Sequence, residues 1–306
     1  MNIGELCSLA MQLGCEVKTN EPLSAHTTFK VGGYCEAFID ISSSDALRRL
    51  ICEAKASFIN FCILGNGSNV IFDDRGYSGA VFHIGSMMSD IELLEGGRIK
   101  ALAGAGLNRV CTFACDNSLS GLEFAYGIPG SVGGAVYMNA GAYNGEIKDV
   151  LAEVDVLDLS DLSIRTLKRE NNGFSMGYRD TSFMHSGLII LSAVFELESG
   201  DKSEIRAKMD DLIGRRKAKQ PLEYPSAGST FKRPEGYYAG KLIQDSGLRG
   251  YTVGGAQVSE KHCGFVVNKG GATSEDILSI ISHIQKKVFS DSGVELECEI
   301  RYIPYE

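Results

Sequence analysis

The chain has 306 residues, 36 of them glycine, and a formal net charge of −9. That length allows two domains, and the acidic balance excludes a broad nucleic-acid surface, which needs clustered Lys and Arg. No apolar run reaches the ~20 residues of a membrane span, and Met1–Leu13 lacks the basic start and small-residue cleavage site of a signal peptide.

In chain order, the first half predicts short helices alternating with short strands. Ser44 is the expected N-cap of a helix that carries Leu47, Leu50, Ile51 and Ala54 on one face. Phe61–Leu64 predicts a buried strand and Val70–Phe72 a second one, separated by the turn Gly65-Asn66-Gly67-Ser68-Asn69. Residues 100–103 predict a strand and 107–116 a helix. The polar run at 198–202 is the expected domain boundary, followed by a helix from about 203 to 216 with Ile205, Met209, Leu212 and Ile213 on one face. Thr273 and Asp276 predict a capping-box start for a second helix, whose buried stripe is Ile277, Ile280, Ile281, Ile284 and Val288. The end of the chain predicts a strand, with Val294, Leu296, Cys298, Ile300 and Tyr302 alternating with charged residues. The nine cysteines are odd in number and include no CxxC, so reduced thiols in a cytoplasmic protein are expected. Cys111 and Cys115 lie one helical turn apart with no nearby His, and no metal site is expected.

Glycine punctuates two places densely. Successive amides in Gly65-Asn66-Gly67-Ser68-Asn69 suit an anion nest for a pyrophosphate, and a plain turn is the equal alternative. A dinucleotide fold of the Rossmann type is excluded there, because its glycine turn must open a helix and this one leads into a strand. The second cluster, Gly127-Ile128-Pro129-Gly130-Ser131-Val132-Gly133-Gly134, is followed closely by Asn139-Ala140-Gly141. Each such glycine weakens a helix or strand by roughly 0.5–1 kcal/mol, so backbone pressed against a flat ligand is expected rather than a purely structural role.

Together these two clusters resemble the FAD domain of vanillyl-alcohol-oxidase-type flavoenzymes. Within that group, the segments Gly177-Tyr178-Arg179-Asp180, Gly228-Ser229-Thr230-Phe231-Lys232-Arg233-Pro234 and Leu296-Glu297-Cys298-Glu299-Ile300-Arg301 resemble the UDP-N-acetylenolpyruvoylglucosamine reductases, in their shorter type. The likeness runs from His26-Thr27-Thr28 to Arg301. It implies an α+β fold: a two-lobed FAD-binding domain over 1–199, its lobes divided near residue 85, then a smaller substrate-binding domain over 203–306 whose last strand returns to the flavin.

The resemblance also implies the chemistry. NADPH would reduce noncovalent FAD, and hydride would then reach the terminal carbon of the enolpyruvyl group of UDP-N-acetylglucosamine enolpyruvate, giving UDP-N-acetylmuramate for peptidoglycan. Charge building on the neighbouring carbon needs a cation and an acid. Arg179 matches the residue that steadies the enolate, Ser229 the proton donor and Glu299 the glutamate completing that network. Gly65, Asn66, Gly67, Ser68, Asn69, Gly127, Ile128, Pro129, Gly130, Ser131, Gly133, Gly134, Asn139 and Gly141 match the FAD-holding positions. Tyr178, Lys219 and Arg233 match substrate-binding positions, the two cations facing the diphosphate. His262 is either a substrate contact or a satisfied structural histidine. Two other classes stay open: an oxidase of the same superfamily with tethered flavin, and a nucleotide-sugar-binding protein without flavin.

Overall fold

A computed structural model describes residues 1–305. The chain separates into two compact units, each discontinuous in sequence. The first comprises Met1–Lys18, Ala37–Asn66 and Ala80–Arg216; the second comprises Thr19–Glu36, Gly67–Gly79 and the chain from Lys217 onward. The expected partition at 199–203 is continuous, whereas here the helix Lys202–Lys219 lies mostly in the first unit and two N-terminal segments join the second.

The helix Ser44–Ala56 shows why the first unit condenses. Leu47, Leu50, Ile51 and Ala54 recur at helical spacing and are all fully buried. Its N-cap is Ser43 rather than Ser44: Ser43 is in extended backbone, and its hydroxyl accepts the Ala46 amide. Four strands form one sheet in the order Glu16–Pro22, Tyr34–Asp40, Tyr77–His83, Phe61–Leu64. Those of residues 91–196 form a five-stranded antiparallel sheet in the order Ile164–Lys168, Leu151–Asp158, Leu188–Glu196, Arg98–Leu102, Ile91–Leu94. Phe195, at the centre of that sheet, is fully buried, and its loss to alanine is expected to cost about 3–5 kcal/mol.

The second unit is organised by the helix Ser274–Ser292. The capping box is present, with Thr273 Oγ1 accepting the Asp276 amide and Asp276 accepting the Thr273 amide. Gly293 ends the helix in the left-handed region. Ile277, Ile280, Ile281, Ile284 and Val288 are buried in one core with Ala256, Val258 and Val266 of a three-stranded antiparallel sheet.

The chain end departs from the simple strand expected over 294–302. Only Arg301–Ile303 is a strand, parallel to Val70–Phe72. Before it the chain pairs elsewhere: Lys232 N–H donates to Glu297 O, and Glu299 N–H donates to Thr230 O. The period-two pattern is real, but its hydrogen-bonding partner changes at residue 299.

Candidate active site

In the first unit, the cluster at 127–134 is fastened by residues 103–107. Val132 and Gly133 donate their amides to Ala105 O and Ala103 O, both at 2.8 Å, and Leu107 donates to Gly130 O at 3.0 Å. Ser131 is the N-cap of the short helix Val132–Tyr137, its hydroxyl accepting the Gly134 amide. Several glycines here have protein neighbours, so close protein packing by itself requires the absence of a Cβ at those positions. A Cβ on Gly65 would collide with Ser131 Oγ, one on Gly133 would lie 3.0 Å from Ala103 Cβ, and one on Gly127 would lie 3.1 Å from Arg216 and Ile213. Gly134 differs: it is exposed, and its Cβ would meet only Ser131 Oγ, at 3.5 Å. With half-buried Gly133 it forms a patch of bare backbone beside exposed Pro129 and half-buried Ile128. Asn66, which turns its amide toward Pro129 O, borders the same loop. Such a surface, which a Cβ would fill, fits a flat ring system and its phosphates.

Asn139 is fully buried, and its side chain donates to Gly177 O and Glu146 and accepts the Lys148 amide, so it shapes the loop. Ser131 is 2% exposed. The carbonyls of Asn139 and Gly141 receive the fork of Arg179, at 2.9 and 3.1 Å. Arg179 sits in the loop between the strands Met176–Gly177 and Asp180–Thr181, with φ of 52°, a conformation uncommon for a long side chain. Its guanidinium lies 5.0 Å from the centre of the exposed Tyr178 ring.

Arg216, near the end of the helix Lys202–Lys219, is a cation of unusual surroundings in this unit. Burial lowers its pKa, with Tyr143 acting in the opposite sense, and it pairs with no carboxylate among the described residues. Arg216 is half-buried, and a partly desolvated guanidinium without a carboxylate partner is costly, which marks it as a group able to receive an anion.

In the second unit, five segments distant in sequence are joined by hydrogen bonds. Thr28 donates its amide to Gly67 O and its hydroxyl to Ser226 O. Gly67 has φ of 60°, and a Cβ there would run into His26 O. Asn69 donates its side-chain amide to Glu299 O at 3.1 Å and accepts the Arg301 amide at 3.0 Å. Thr230, 1% exposed, is the junction: its N–H donates to Gly264 O, its hydroxyl accepts the Val266 amide, and its carbonyl accepts the Glu299 amide. Ser229 stands beside this junction, exposed, after Gly228 at φ of 79°. Glu299 is half-buried. The backbone therefore brings Asn69, Ser229 and Glu299 into one network.

Lys219 is the exposed last residue of its helix, which runs three residues beyond the expected end. Gln220 follows it with a buried Oε1 that has no partner among the described residues. Arg233 is exposed, donates Nε to Tyr237 O and lies 4.1 Å from the Tyr238 ring centre. His262 is half-buried, and its Nδ1 accepts the Gly264 amide at 3.1 Å. Sequence reading missed Thr28, Thr230 and Arg216 as parts of this machinery. The first two lay inside quoted motifs, but only long-range pairing gives them their roles.

Comparison with known proteins agrees with this geometry. Residues 35–167 match an FAD binding domain, and residues 220–303 match the C-terminal domain of UDP-N-acetylenolpyruvoylglucosamine reductase. The chain is 50% identical over 295 residues to the UDP-N-acetylenolpyruvoylglucosamine reductase of Agathobacter rectalis, covering 93% of each chain. It is 46% identical over 288 residues to that of Clostridium perfringens strain SM101, covering 94% of this chain and 93% of the relative. The crystal structure of the Thermus caldophilus enzyme superposes with a TM-score of 0.79 at 33% identity, over 95% of this chain and 99% of that one. The chain belongs to the UDP-N-acetylenolpyruvoylglucosamine reductase family.

Proposed function

We propose a residue-by-residue division of labour for the family's reaction. The chain is an NADPH-dependent flavoprotein oxidoreductase that reduces the enolpyruvyl group of UDP-N-acetylglucosamine enolpyruvate, forming UDP-N-acetylmuramate for peptidoglycan precursors. FAD, when bound and reduced by NADPH, supplies the hydride. The bare backbone at Gly133 and Gly134, flanked by Ile128 and Pro129, supports the flavin, and Arg216 receives an anionic group of the cofactor. Arg179, held by the carbonyls of Asn139 and Gly141, presents its guanidinium to the substrate carboxylate, where negative charge builds. Tyr178 packs beside it.

Ser229 donates the proton to the carbon next to that carboxylate. A hydroxyl is a weak acid, so Glu299 completes the proton network around it. Lys219 and Arg233 take the diphosphate. The observation that supports the acid assignment is the Thr230 carbonyl accepting the Glu299 amide at 2.9 Å, which fixes Ser229 and Glu299 on adjoining backbone. In this reading residues 1–199 hold FAD, joined by Arg216, and residues 203–306 hold substrate, joined by Tyr178 and Arg179. No helix among the described residues is long and apolar enough to cross a membrane, and the reading places the enzyme in the cytoplasm, where its nucleotide-linked substrate and NADPH are found.

The test is anaerobic reduction of the purified yellow protein by NADPH, followed by the enolpyruvyl sugar nucleotide. Bleaching and then return of the flavin absorbance is expected, and acid should release all the colour from the precipitated protein. Reoxidation by air alone, with no response to the sugar nucleotide, overturns the reading in favour of an oxidase.

A further inference from the structure

His262 is held in a built slot. Its backbone amide and that of Lys261 both donate to Ser259 Oγ, at 3.2 Å, and Ser259 is 3% exposed. The imidazole lies between two glycines: a Cβ on Gly264 would approach Cε1 to 2.9 Å, and one on Gly240 to 3.2 Å. Phe265 closes the slot edge-on, with ring centres 5.1 Å apart. Nδ1 accepts the Gly264 amide at 3.1 Å, so the neutral ring carries its proton on Nε2. Burial, with a smaller contribution from Arg249, lowers the imidazole pKa and keeps that lone pair available at neutral pH.

Gly264 passes this restraint on. Its carbonyl accepts the Thr230 amide at 2.9 Å, and the Thr230 carbonyl accepts the Glu299 amide at 2.9 Å. A glycine has no side chain to fix its own peptide planes; the bond to Nδ1 fixes the plane before Gly264, and the Phe265 amide, donating to His262 O at 3.0 Å, fixes the plane after it, so residue 262 restrains both. One continuous chain of bonds thus links the imidazole to the peptide that follows Ser229 and to the residue that carries the Glu299 carboxylate.

We propose that His262 is a positioning residue for the proton-delivery pair: by accepting the Gly264 N–H through Nδ1 it sets the peptide that holds Ser229 and Glu299 in register. The proposal rests on Ser229 being the proton donor. It assigns the ring no direct contact with substrate. A register error near 1 Å at a reacting group lowers rates by up to roughly 10²-fold, so a loosened rather than lost restraint should give a decrease on the order of tenfold.

The variants are His262→Leu, which fills the slot without an acceptor, His262→Asn, whose Oδ1 replaces Nδ1, and Ser259→Ala, which loosens the turn and leaves the ring intact. In stopped flow on the holoenzyme, His262→Leu should slow reoxidation of reduced flavin by the sugar nucleotide on the order of tenfold, with NADPH reduction of the flavin unchanged. His262→Asn should recover most of that rate, and Ser259→Ala should show a smaller loss confined to the same step. Equal slowing of both half-reactions in step with lost thermal stability would mean the ring only supports the fold. A raised KM at unchanged kcat in both His262 variants would mean direct substrate contact. Either result overturns the proposal, as does a wild-type rate in both His262→Leu and Ser259→Ala. Ser229→Ala in the same assay separates the layers: if it leaves substrate reoxidation fast, the acid assignment itself has failed, whatever His262 does.

Discussion

The first unit fastens residues 127–134 to 103–107 through backbone amides and leaves a bare surface at Gly134, where we propose the cofactor sits. The second unit instead gathers Thr28, Asn69, Thr230, Gly264 and Glu299 from the length of the chain and presents side chains from the junction, proposed to meet substrate. Each arrangement has its own sensitivity. Where backbone is the surface, any added Cβ matters, and neighbouring glycines can respond with opposite signs. Where side chains stand on paired backbone, the identity of one hydroxyl or carboxylate decides the chemistry, and the surrounding bonds decide its placement. Substitutions in the first region should act on cofactor retention, and those in the second on a single half-reaction.

The largest effect is expected at Ser229. Ser229→Ala should leave NADPH reduction of the flavin intact, because no proton to the substrate carbon is involved in it. Reoxidation by the sugar nucleotide should slow about 10²–10⁴-fold. Cysteine at this position should recover part of the rate, since a thiol can also donate. Flavin absorbance in stopped flow resolves the two steps, and equal slowing of both would erase the distinction between the units.

Arg216 tests the cofactor side. Arg216→Met keeps the packing stem against Gly127 and removes the half-buried charge. A charged hydrogen bond contributes about 1.5–3 kcal/mol, so the Kd for FAD should rise roughly ten- to hundredfold. The apoprotein should melt no lower than wild type, because a partly desolvated charge without a carboxylate partner has been deleted. A lower apoprotein melting temperature, with FAD held as tightly as before, would remove Arg216 from the cofactor site.

Gly133 and Gly134 sharpen the same point side by side. Gly133→Ala brings a methyl within 3.0 Å of Ala103 Cβ, and overpacking of this kind typically destabilises by about 1–3 kcal/mol. Gly134→Ala meets only Ser131 Oγ, so the apoprotein should gain up to about 0.5–1 kcal/mol from better helix propensity while losing FAD affinity. Thermal melts with and without added FAD measure both. Wild-type FAD retention in Gly134→Ala would show that this glycine faces solvent only.

These regions also differ in how far they could be read in advance. Helix faces such as Leu47, Leu50, Ile51 and Ala54, and the stripe from Ile277 to Val288, were legible because burial repeats at the period of the element. The glycine cluster at 127–134 was visible as a local anomaly, but which glycine faces protein and which is open depends on residues 103–107, which no local pattern indicates. Asn139 stood out by position, but that its side chain is buried and its carbonyl holds Arg179 follows only from long-range packing. The final strand failed for a related reason: alternation over 294–302 gives the pleat but not the partner, and the partner changes from 230–232 to 69–72. Discontinuous units are a property of long-range pairing, and composition shifts at 198–202 carry no trace of it.

The smallest effect separates stability from chemistry within the second unit. Thr273 caps the helix Ser274–Ser292 by accepting the Asp276 amide at 3.0 Å, and it touches none of the Thr230 network. Thr273→Ala should lower unfolding free energy by about 1 kcal/mol with kcat and KM unchanged. Ser131 makes the equivalent cap in the first unit, but within the glycine loop, so Ser131→Ala should lose FAD affinity as well as stability. Asp276 adds a pH signature. The amide of Thr273, and after it that of Gly255, holds its carboxyl below the ordinary value of 3.8. A carboxylate depressed on folding stabilises the native state above its unfolded pKa, and that stabilisation disappears as pH falls through the folded value. The acid limb of stability below about pH 4 should therefore flatten in Asp276→Asn. In Thr273→Ala it should persist, since the backbone amides that depress the carboxyl remain. Urea titrations at pH 3 to 7 would resolve the two, and loss of turnover in Thr273→Ala at neutral pH would show that the helix cap is coupled to the proton-delivery loop.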